Sequence, residues 1–106
     1  MDDKFATCSA TLTNALGLHA RPSVKLTRLA KTFASNIEMA AGTEGLWIDA
    51  KSIVKVMAVK AAKGVTLRLR ANGPDAAEAM AALRALVAEG FADDEGLSER
   101  AESLGG

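Results

Sequence analysis

The sequence is poor in the residues that bind metals or form disulfides. Its 106 residues include one histidine, one cysteine and no tyrosine. A lone cysteine cannot form an intrachain disulfide, and one histidine with one cysteine cannot supply the ligands of a zinc-type site. We therefore expect no metal and no cofactor. Cys8 lies in an alternating segment, which indicates a small buried apolar residue.

An excess of one charge and long apolar runs are also missing. The 13 basic and 13 acidic residues cancel, so the basic excess typical of nucleic-acid-binding proteins is absent. No apolar run approaches the roughly 18 residues of a membrane span, and no signal peptide is recognisable. We expect a cytoplasmic, monomeric protein with no nucleic-acid partner and no membrane insertion. The length allows one domain with a modest core.

The only histidine lies in the stretch Gly17-Leu18-His19-Ala20-Arg21-Pro22-Ser23. An amphipathic segment with helical spacing follows at once, and its apolar positions are Leu26, Leu29, Ala30 and Phe33. Pro22 suits a first helical turn, where its missing N–H would have no partner. His19 is therefore predicted to lie at the N-terminus of the first helix.

A helix N-terminus combines backbone N–H groups that lack helical partners with the positive end of the helix dipole, and it binds phosphate well. A neutral imidazole there is a nucleophile, and a guanidinium matches phosphate oxygens. His19 is thus a candidate phosphoryl acceptor, with Arg21 as countercharge and the N–H of Ala20 as a further anion donor. The alternative is an ordinary capping or surface histidine. The residues alone leave both interpretations open.

Three segments carry a resemblance to a known family. Asn14-Ala15-Leu16-Gly17-Leu18-His19-Ala20-Arg21-Pro22 resembles the active-site motif of the HPr family, the histidine phosphocarriers of the bacterial phosphoenolpyruvate-dependent phosphotransferase system. Asp49-Ala50-Lys51-Ser52-Ile53 is similar to the regulatory-serine segment of that family, and Ala62-Lys63-Gly64 is a third match. The resemblance extends from residue 5 to residue 91.

The resemblance implies an α+β fold, an open-faced β-sandwich in which three helices cover one face of a four-stranded antiparallel sheet. The hydrophobic pattern predicts the same β-α-β-β-α-β-α order. Strands are expected near residues 4–12, 37–41, 46–48 and 65–71, and helices near residues 20–33 and 51–60 and between Pro74 and Gly90. We expect one domain at residues 1–91 and an acidic, mobile tail containing glycine and serine at residues 92–106.

The resemblance also implies a phosphoryl carrier rather than an enzyme. His19 would accept the phosphoryl group on Nδ1 from an enzyme I-like donor, itself phosphorylated from phosphoenolpyruvate. It would then pass the group to an enzyme IIA-type acceptor in sugar uptake.

The second helix is apolar on nearly every side, which is unusual for a surface helix. We predict that Val56 and Val59 point inward and that the other side docks partners. The predicted docking patch combines apolar residues of the first two helices with a ring of basic ones, namely Val24, Ile53, Val54 and Met57 with Arg28, Lys31, Lys51 and Lys55.

Ser52 has two interpretations. Its position favours the N-cap of the second helix. In some relatives the corresponding serine is phosphorylated by a dedicated kinase, and phosphate there would add nearly two negative charges beside the docking patch. That charge would weaken docking onto an acidic donor.

Several residues depart from the family pattern. Lys55 and Lys60 occupy positions where many relatives have glycine, and Trp47 and the residues beyond 94 are atypical. Gly73-Pro74 and Gly90-Phe91 resemble the nitrogen-related branch (NPr), whose targets are regulatory proteins. One alternative is therefore an NPr-type regulatory carrier. Two further alternatives belong to other function classes: an interaction module that is never phosphorylated and a small-ligand-binding α+β domain. Trp47 is predicted either to lie flat on the open sheet face or to contact a partner.

Overall fold

The computed structural model describes residues 5–91 and has the predicted order of elements. Its strands are β1 (Ala6–Thr11), β2 (Asn36–Ala41), β3 (Ile48–Asp49) and β4 (Thr66–Asn72), and its helices are α1 (Ala20–Lys31), α2 (Ile53–Val59) and α3 (Ala76–Ala88). The tail predicted at residues 92–106 lies outside the described residues.

The strands form one antiparallel sheet in the order β1-β4-β2-β3. Side chains alternate between the two faces of a strand, and β4 shows this most clearly. Its Leu67, Leu69 and Ala71 are fully buried. Arg68 and Arg70, at the intervening positions, lie on the opposite face and are half-buried. The alternation predicted for this strand is confirmed.

The helices lie on the apolar face of the sheet. α3 packs on β1 and β4, and α1 packs against α2 and α3. The side chains between the layers are fully excluded from water, and they include Leu26, Met39, Leu83 and Phe91. Burial of one such side chain contributes about 1.5–3 kcal/mol. The predicted open-faced α+β sandwich is confirmed.

The opposite face of the sheet carries the single tryptophan. The Cζ atoms of Arg70 and Arg68 lie 4.1 Å and 4.8 Å from the centroid of the Trp47 ring, within the range of cation–π attraction. Arg70 also donates its Nε–H to Glu38 Oε1 at 2.7 Å. The predicted placement of Trp47 on the open sheet face is confirmed.

β3 is shorter than predicted. The alternation assigns Leu46 to the core, but this residue precedes β3 and is 83% exposed. Trp47 packs over the arginines of β4, and the chain joins the ladder only at Ile48, which pairs with Met39. Leu46 therefore remains outside the sheet.

α3 begins later than Pro74 suggests, because Asp75 is its N-cap. The Asp75 carboxylate accepts hydrogen bonds from the Ser35 hydroxyl at 2.6 Å and from the N–H groups of Ala34 and Ser35 at 2.9 Å each. The bond from the Ser35 hydroxyl, followed by the one from Ala34, holds the pKa of this carboxyl below its usual value. Asp75 thus ties the connection between α1 and β2 to the start of α3.

Cys8 is half-buried, with Sγ 3.6 Å from the carbonyl oxygen and 3.8 Å from Sδ of Met80 in α3. Burial raises the pKa of its thiol. Among residues 5–91, no group of histidine, cysteine and acidic side chains could hold a metal ion. No helix in the same range has both the length and the apolar character that a membrane crossing requires.

Candidate functional site

His19 is the N-cap of α1, as predicted. Its backbone is extended, with φ −95° and ψ −163°, and its carbonyl accepts the N–H of Ser23 at 3.0 Å. The first turn of α1 contains no acidic residue, and the His19 side chain makes no capping hydrogen bond to it. The N–H groups of Ala20 and Arg21 precede the first helical hydrogen bond, so no carbonyl of α1 can accept them. The half-buried His19 therefore lies where a helix favours an anion.

The loop before His19 is held by hydrogen bonds within itself and to the segment after α2. The Asn14 carbonyl accepts the N–H of Gly17 at 3.0 Å, and Asn14 Nδ2 donates to the Gly17 carbonyl at 2.6 Å. The N–H of His19 donates to the same Gly17 carbonyl at 3.0 Å. One residue earlier, the N–H of Leu18 donates to the Ala61 carbonyl at 2.9 Å.

Gly17 makes this close approach possible. Its φ is +69°, a conformation that L side chains rarely adopt. A Cβ at this position would clash with the carbonyl oxygen of Ala61 and would lie 2.9 Å from Cα of Ala62. The backbone on the N-terminal side of His19 is therefore fixed by a contact that only glycine allows.

Basic side chains follow His19 along α1. Arg28 and Lys31 are exposed, and Val24 between them and His19 is 37% exposed. A shallow depression on this helix is lined by Ala20, Arg21, Val24, Lys25 and Arg28. Lys25 was absent from the predicted site. Its spacing of four residues from Arg21 was the available signal, because residues at i and i+4 share a helix face.

Ser52 is the N-cap of α2, and its Oγ accepts the N–H of Lys55 at 3.3 Å. The capping interpretation of Ser52 is thus confirmed. Its side chain is half-buried. A phosphate on this oxygen would replace the capping bond at a helix start, where negative charge is favourable.

The two sides of α2 divide as predicted. Val56 is fully buried, and Val59 is half-buried against the core. On the outer side Val54 is 74% and Met57 41% exposed. Ile53 is half-buried, so it contributes less open surface than its predicted place in the docking patch implies.

Lys51 differs from the other members of the predicted basic ring. Its Nζ donates to the carbonyl of Phe33 at 2.8 Å, beyond the C-terminal end of α1. Arg28, Lys31 and Lys55 are exposed, whereas Lys51 is half-buried. Lys51 therefore joins the start of α2 to the end of α1.

Sequence reasoning missed one apolar residue of the loop at residues 14–19, which we call the histidine loop. Leu16 is 74% exposed. It adds apolar surface to the loop that contains Gly17 and leads to His19. The signal was a leucine outside any strand or helix pattern, between Ala15 and Gly17.

Comparison with known proteins assigns the chain to a family. A family model described as "PTS HPr component phosphorylation site" matches residues 6–89. The chain belongs to the HPr family. It is 49% identical over 85 residues to the phosphocarrier protein HPr of Cupriavidus necator, and the alignment covers 80% of this chain and 93% of that protein. It is 37% identical over 83 residues to the phosphocarrier protein NPr of Escherichia coli, and this alignment covers 78% of this chain and 91% of that protein.

Solved HPr structures have the same fold. HPr-C-His from Thermoanaerobacter tengcongensis superposes with a TM-score of 0.75 at 31% identity, covering 82% of this chain and 96% of that chain. HPr from Bacillus anthracis superposes with a TM-score of 0.74 at 28% identity, covering 80% of this chain and 99% of that chain. The resemblance carried by the three motifs is confirmed. The chain is an HPr-type phosphocarrier of the phosphotransferase relay, not a catalytic enzyme.

Proposed function

We propose that His19 carries the phosphoryl group of this HPr-family protein in the cytoplasm. An enzyme I-like protein donates the group and an enzyme IIA-like protein of sugar uptake accepts it. The observation that carries the proposal is the position of the only histidine, at the N-cap of α1 beside the N–H groups of Ala20 and Arg21. A carrier needs a nucleophile that a partner can reach, and His19 combines partial exposure with an anion-binding helix start.

Each transfer exchanges one bond to phosphorus for another. The lone pair of a neutral His19 ring nitrogen attacks phosphorus while the bond from phosphorus to the donor breaks. By resemblance to the family, that nitrogen is Nδ1. In the loose transition state, charge spreads over the three phosphoryl oxygens. The N–H groups of Ala20 and Arg21 and the guanidinium of Arg21 stabilise this charge. Transfer to the acceptor reverses the step and restores the neutral imidazole.

The proposed docking patch lies on the outer sides of α1 and α2. Val24, Val54 and Met57 give it an exposed apolar centre, and Arg28 and Lys55 add positive charge. Such charges accelerate encounter with acidic surfaces, and a small patch allows rapid release, as a shuttle requires. We expect a monomer to be the active form. One structural relative, from Thermoanaerobacter tengcongensis, is described as an HPr dimer, so sedimentation of this chain at assay concentration belongs to the test.

The choice of acceptor separates sugar uptake from the nitrogen-related branch. The identity is 49% to an HPr and 37% to an NPr, which supports a sugar-branch acceptor. The pairs Gly73-Pro74 and Gly90-Phe91 favour the NPr alternative by resemblance. Both pairs flank α3 and neither belongs to the proposed docking patch, so they carry little information about the acceptor.

Ser52 is the proposed regulatory position. It caps the helix that presents Val54 and Met57, so a phosphate there adds nearly two negative charges next to the docking patch. We expect a serine kinase acting on Ser52 to slow transfer from the donor without unfolding α2.

The proposal is tested by incubating the full chain with enzyme I and radiolabelled phosphoenolpyruvate. We expect acid-labile, base-stable label that is absent from His19→Ala and present in the matched control Ser52→Ala. The labelled protein is then mixed with enzyme IIA proteins of the sugar and nitrogen branches. Transfer to the sugar-branch protein supports the proposal, and preferential transfer to the other branch supports the NPr alternative. Absence of label, or label on Ser52 alone, refutes the carrier role of His19.

A further inference from the structure

We infer that residues 92–106 dock onto the basic side of α1 and α2 and compete there with acidic partners. The docking stands on charge and geometry alone. Only the competition rests on the proposed function, because it requires that partners use the same surface. We call this surface the basic helix face and define it by Arg28, Lys31 and Lys55 together with Val54 and Met57.

The zero net charge of the chain conceals a strong asymmetry. Residues 1–91 contain twelve basic and eight acidic residues, whereas residues 92–106 contain five acidic residues and one arginine. The two parts therefore carry net charges of +4 and −4. Opposite charges on one chain attract each other at a high effective concentration, since the tether keeps them close.

Much of the positive charge of residues 1–91 lies on α1 and in the segment around α2. α1 contains four basic residues and no acidic one, and residues 50–63, which include α2, contain four lysines and no acidic residue. On the open sheet face, by contrast, Arg70 is paired with Glu38, and Arg68 Nε donates to the carbonyl of Gly42 at 2.8 Å. The basic helix face is therefore the stronger attractor for an acidic segment.

Apolar groups strengthen the match. Val54 is 74% and Met57 41% exposed on the basic helix face. Residues 92–106 include Leu97 and Leu104 among their acidic residues. A segment that combines carboxylates with spaced leucines has the chemistry that fits a surface of lysine, arginine and aliphatic side chains.

The end of α3 lies beside the segment that leads to His19. The N–H groups of Gly90 and Phe91 donate to the carbonyls of Val87 and Leu86, which ends the helix, and Phe91 is fully buried. A Cβ at Gly90 would lie 3.1 Å from Oγ1 of Thr13, in the segment that leads to His19. Fifteen further residues span at most roughly 50 Å, and α1 is only about 18 Å long. The tail can therefore reach the whole basic helix face.

The test uses the full chain with a nitroxide label in the tail. Ser103→Cys is labelled in a Cys8→Ala background, and broadening of backbone amide signals is measured by NMR. We expect selective broadening in α1 and α2 at about 0.01 M salt, where the Debye length is about 30 Å, and its loss at about 1 M, where it is about 3 Å. The same labelled chain with Asp93→Asn, Asp94→Asn, Glu95→Gln and Glu99→Gln controls for proximity due to the tether alone. We call it the neutral-tail variant, because one glutamate and one arginine remain in residues 92–106 and their charges cancel.

A second measurement leaves Cys8 unchanged. Amide shifts of the unlabelled chain are compared with those of the neutral-tail variant, and a matched control removes two carboxylates from α3 and its C-cap, Glu78→Gln with Glu89→Gln. We expect shift changes in α1 and α2 for the neutral tail and none there for the control. Equal broadening with charged and neutral tails, or broadening confined to the open sheet face, overturns the inference.

The competition is measured as the rate of phosphoryl transfer from enzyme I. A tail docked about two-thirds of the time lowers the apparent affinity of a competing partner about threefold. The neutral-tail variant should therefore be phosphorylated about threefold faster at low salt, with the difference lost at high salt. Docking without a rate difference overturns the competition. Docking in a chain that accepts no phosphoryl group leaves the docking standing and refutes both the competition and the proposed function.

Discussion

Replacing Gly17 by alanine tests whether the histidine loop is fixed by close contact with the segment after α2. The added methyl group meets two obstacles. An L residue at φ +69° is strained, which costs about 1–2 kcal/mol. The methyl group also collides with the Ala61 carbonyl oxygen, and that atom accepts the N–H of Leu18.

Relief of the collision requires the histidine loop to move away from Ala61 and Ala62. Such overpacking costs about 1–3 kcal/mol, and loss of the hydrogen bond from Leu18 costs about 1 kcal/mol. Gly42 provides a matched control, because its φ is +68° and nothing lies within 4 Å of an added Cβ. We therefore expect Gly42→Ala to cost about 1–2 kcal/mol and Gly17→Ala about 3–6 kcal/mol.

Urea unfolding measures the difference, with the fluorescence of Trp47, the only tryptophan, as the signal. Phosphorylation by enzyme I gives a second readout. Displacement of His19 should slow the reaction of Gly17→Ala at least about tenfold relative to Gly42→Ala. Equal stability and equal rates in the two variants would refute the claim that this contact positions the histidine.

Three further expectations follow from the same structure. Val56→Ala removes a fully buried side chain and should lower the free energy of unfolding in urea by about 2 kcal/mol. Val54→Ala changes an exposed side chain, so it should lower that free energy by less than about 0.5 kcal/mol and slow transfer from enzyme I. A larger loss of stability for Val54→Ala than for Val56→Ala would contradict the orientation of α2. Ser52→Ala removes the cap of α2 and should cost about 1 kcal/mol, so an unchanged unfolding midpoint would show that the cap is dispensable. The lowered pKa of Asp75 implies stability that is present above its unfolded value of about 4 and lost as the pH falls through the lower folded value. Urea midpoints across pH should therefore show the gap between wild type and Asp75→Asn closing in acid, and a gap independent of pH would contradict the bonds to Ala34 and Ser35.

The sequence predicts β4 and the start of α1 well because local chemistry determines both. In β4 every second residue is a fully buried apolar side chain, since the strand lies between β1 and β2 in the sheet. At α1, a proline in the first turn and the apolar spacing that follows place His19 at the N-cap. The division of α2 into an inner and an outer side follows from Val56 and Val59 in the same way.

Contacts between distant parts of the chain could not be predicted from local patterns. Lys51 looks like one more surface lysine until the end of α1 brings the Phe33 carbonyl within 2.8 Å of its Nζ. Asp75 looks like a dipole-complementing acid, yet its carboxylate binds residues 40 and 41 positions earlier. Leu46 fits the alternation of a hairpin, but the pairing of β3 with β2 covers only Ile48 and Asp49, so Leu46 stays outside the sheet. Each case depends on tertiary structure that periodicity does not encode.

The most direct test of the account follows the His19 ring by NMR in an isotope-labelled chain while enzyme I and phosphoenolpyruvate, and then an enzyme IIA protein, are added. We expect a phosphorus–nitrogen coupling to appear on one ring nitrogen with the donor and to disappear with the acceptor. A His19 ring that stays unmodified while phosphoryl groups pass through this protein from phosphoenolpyruvate to the acceptor would contradict the account.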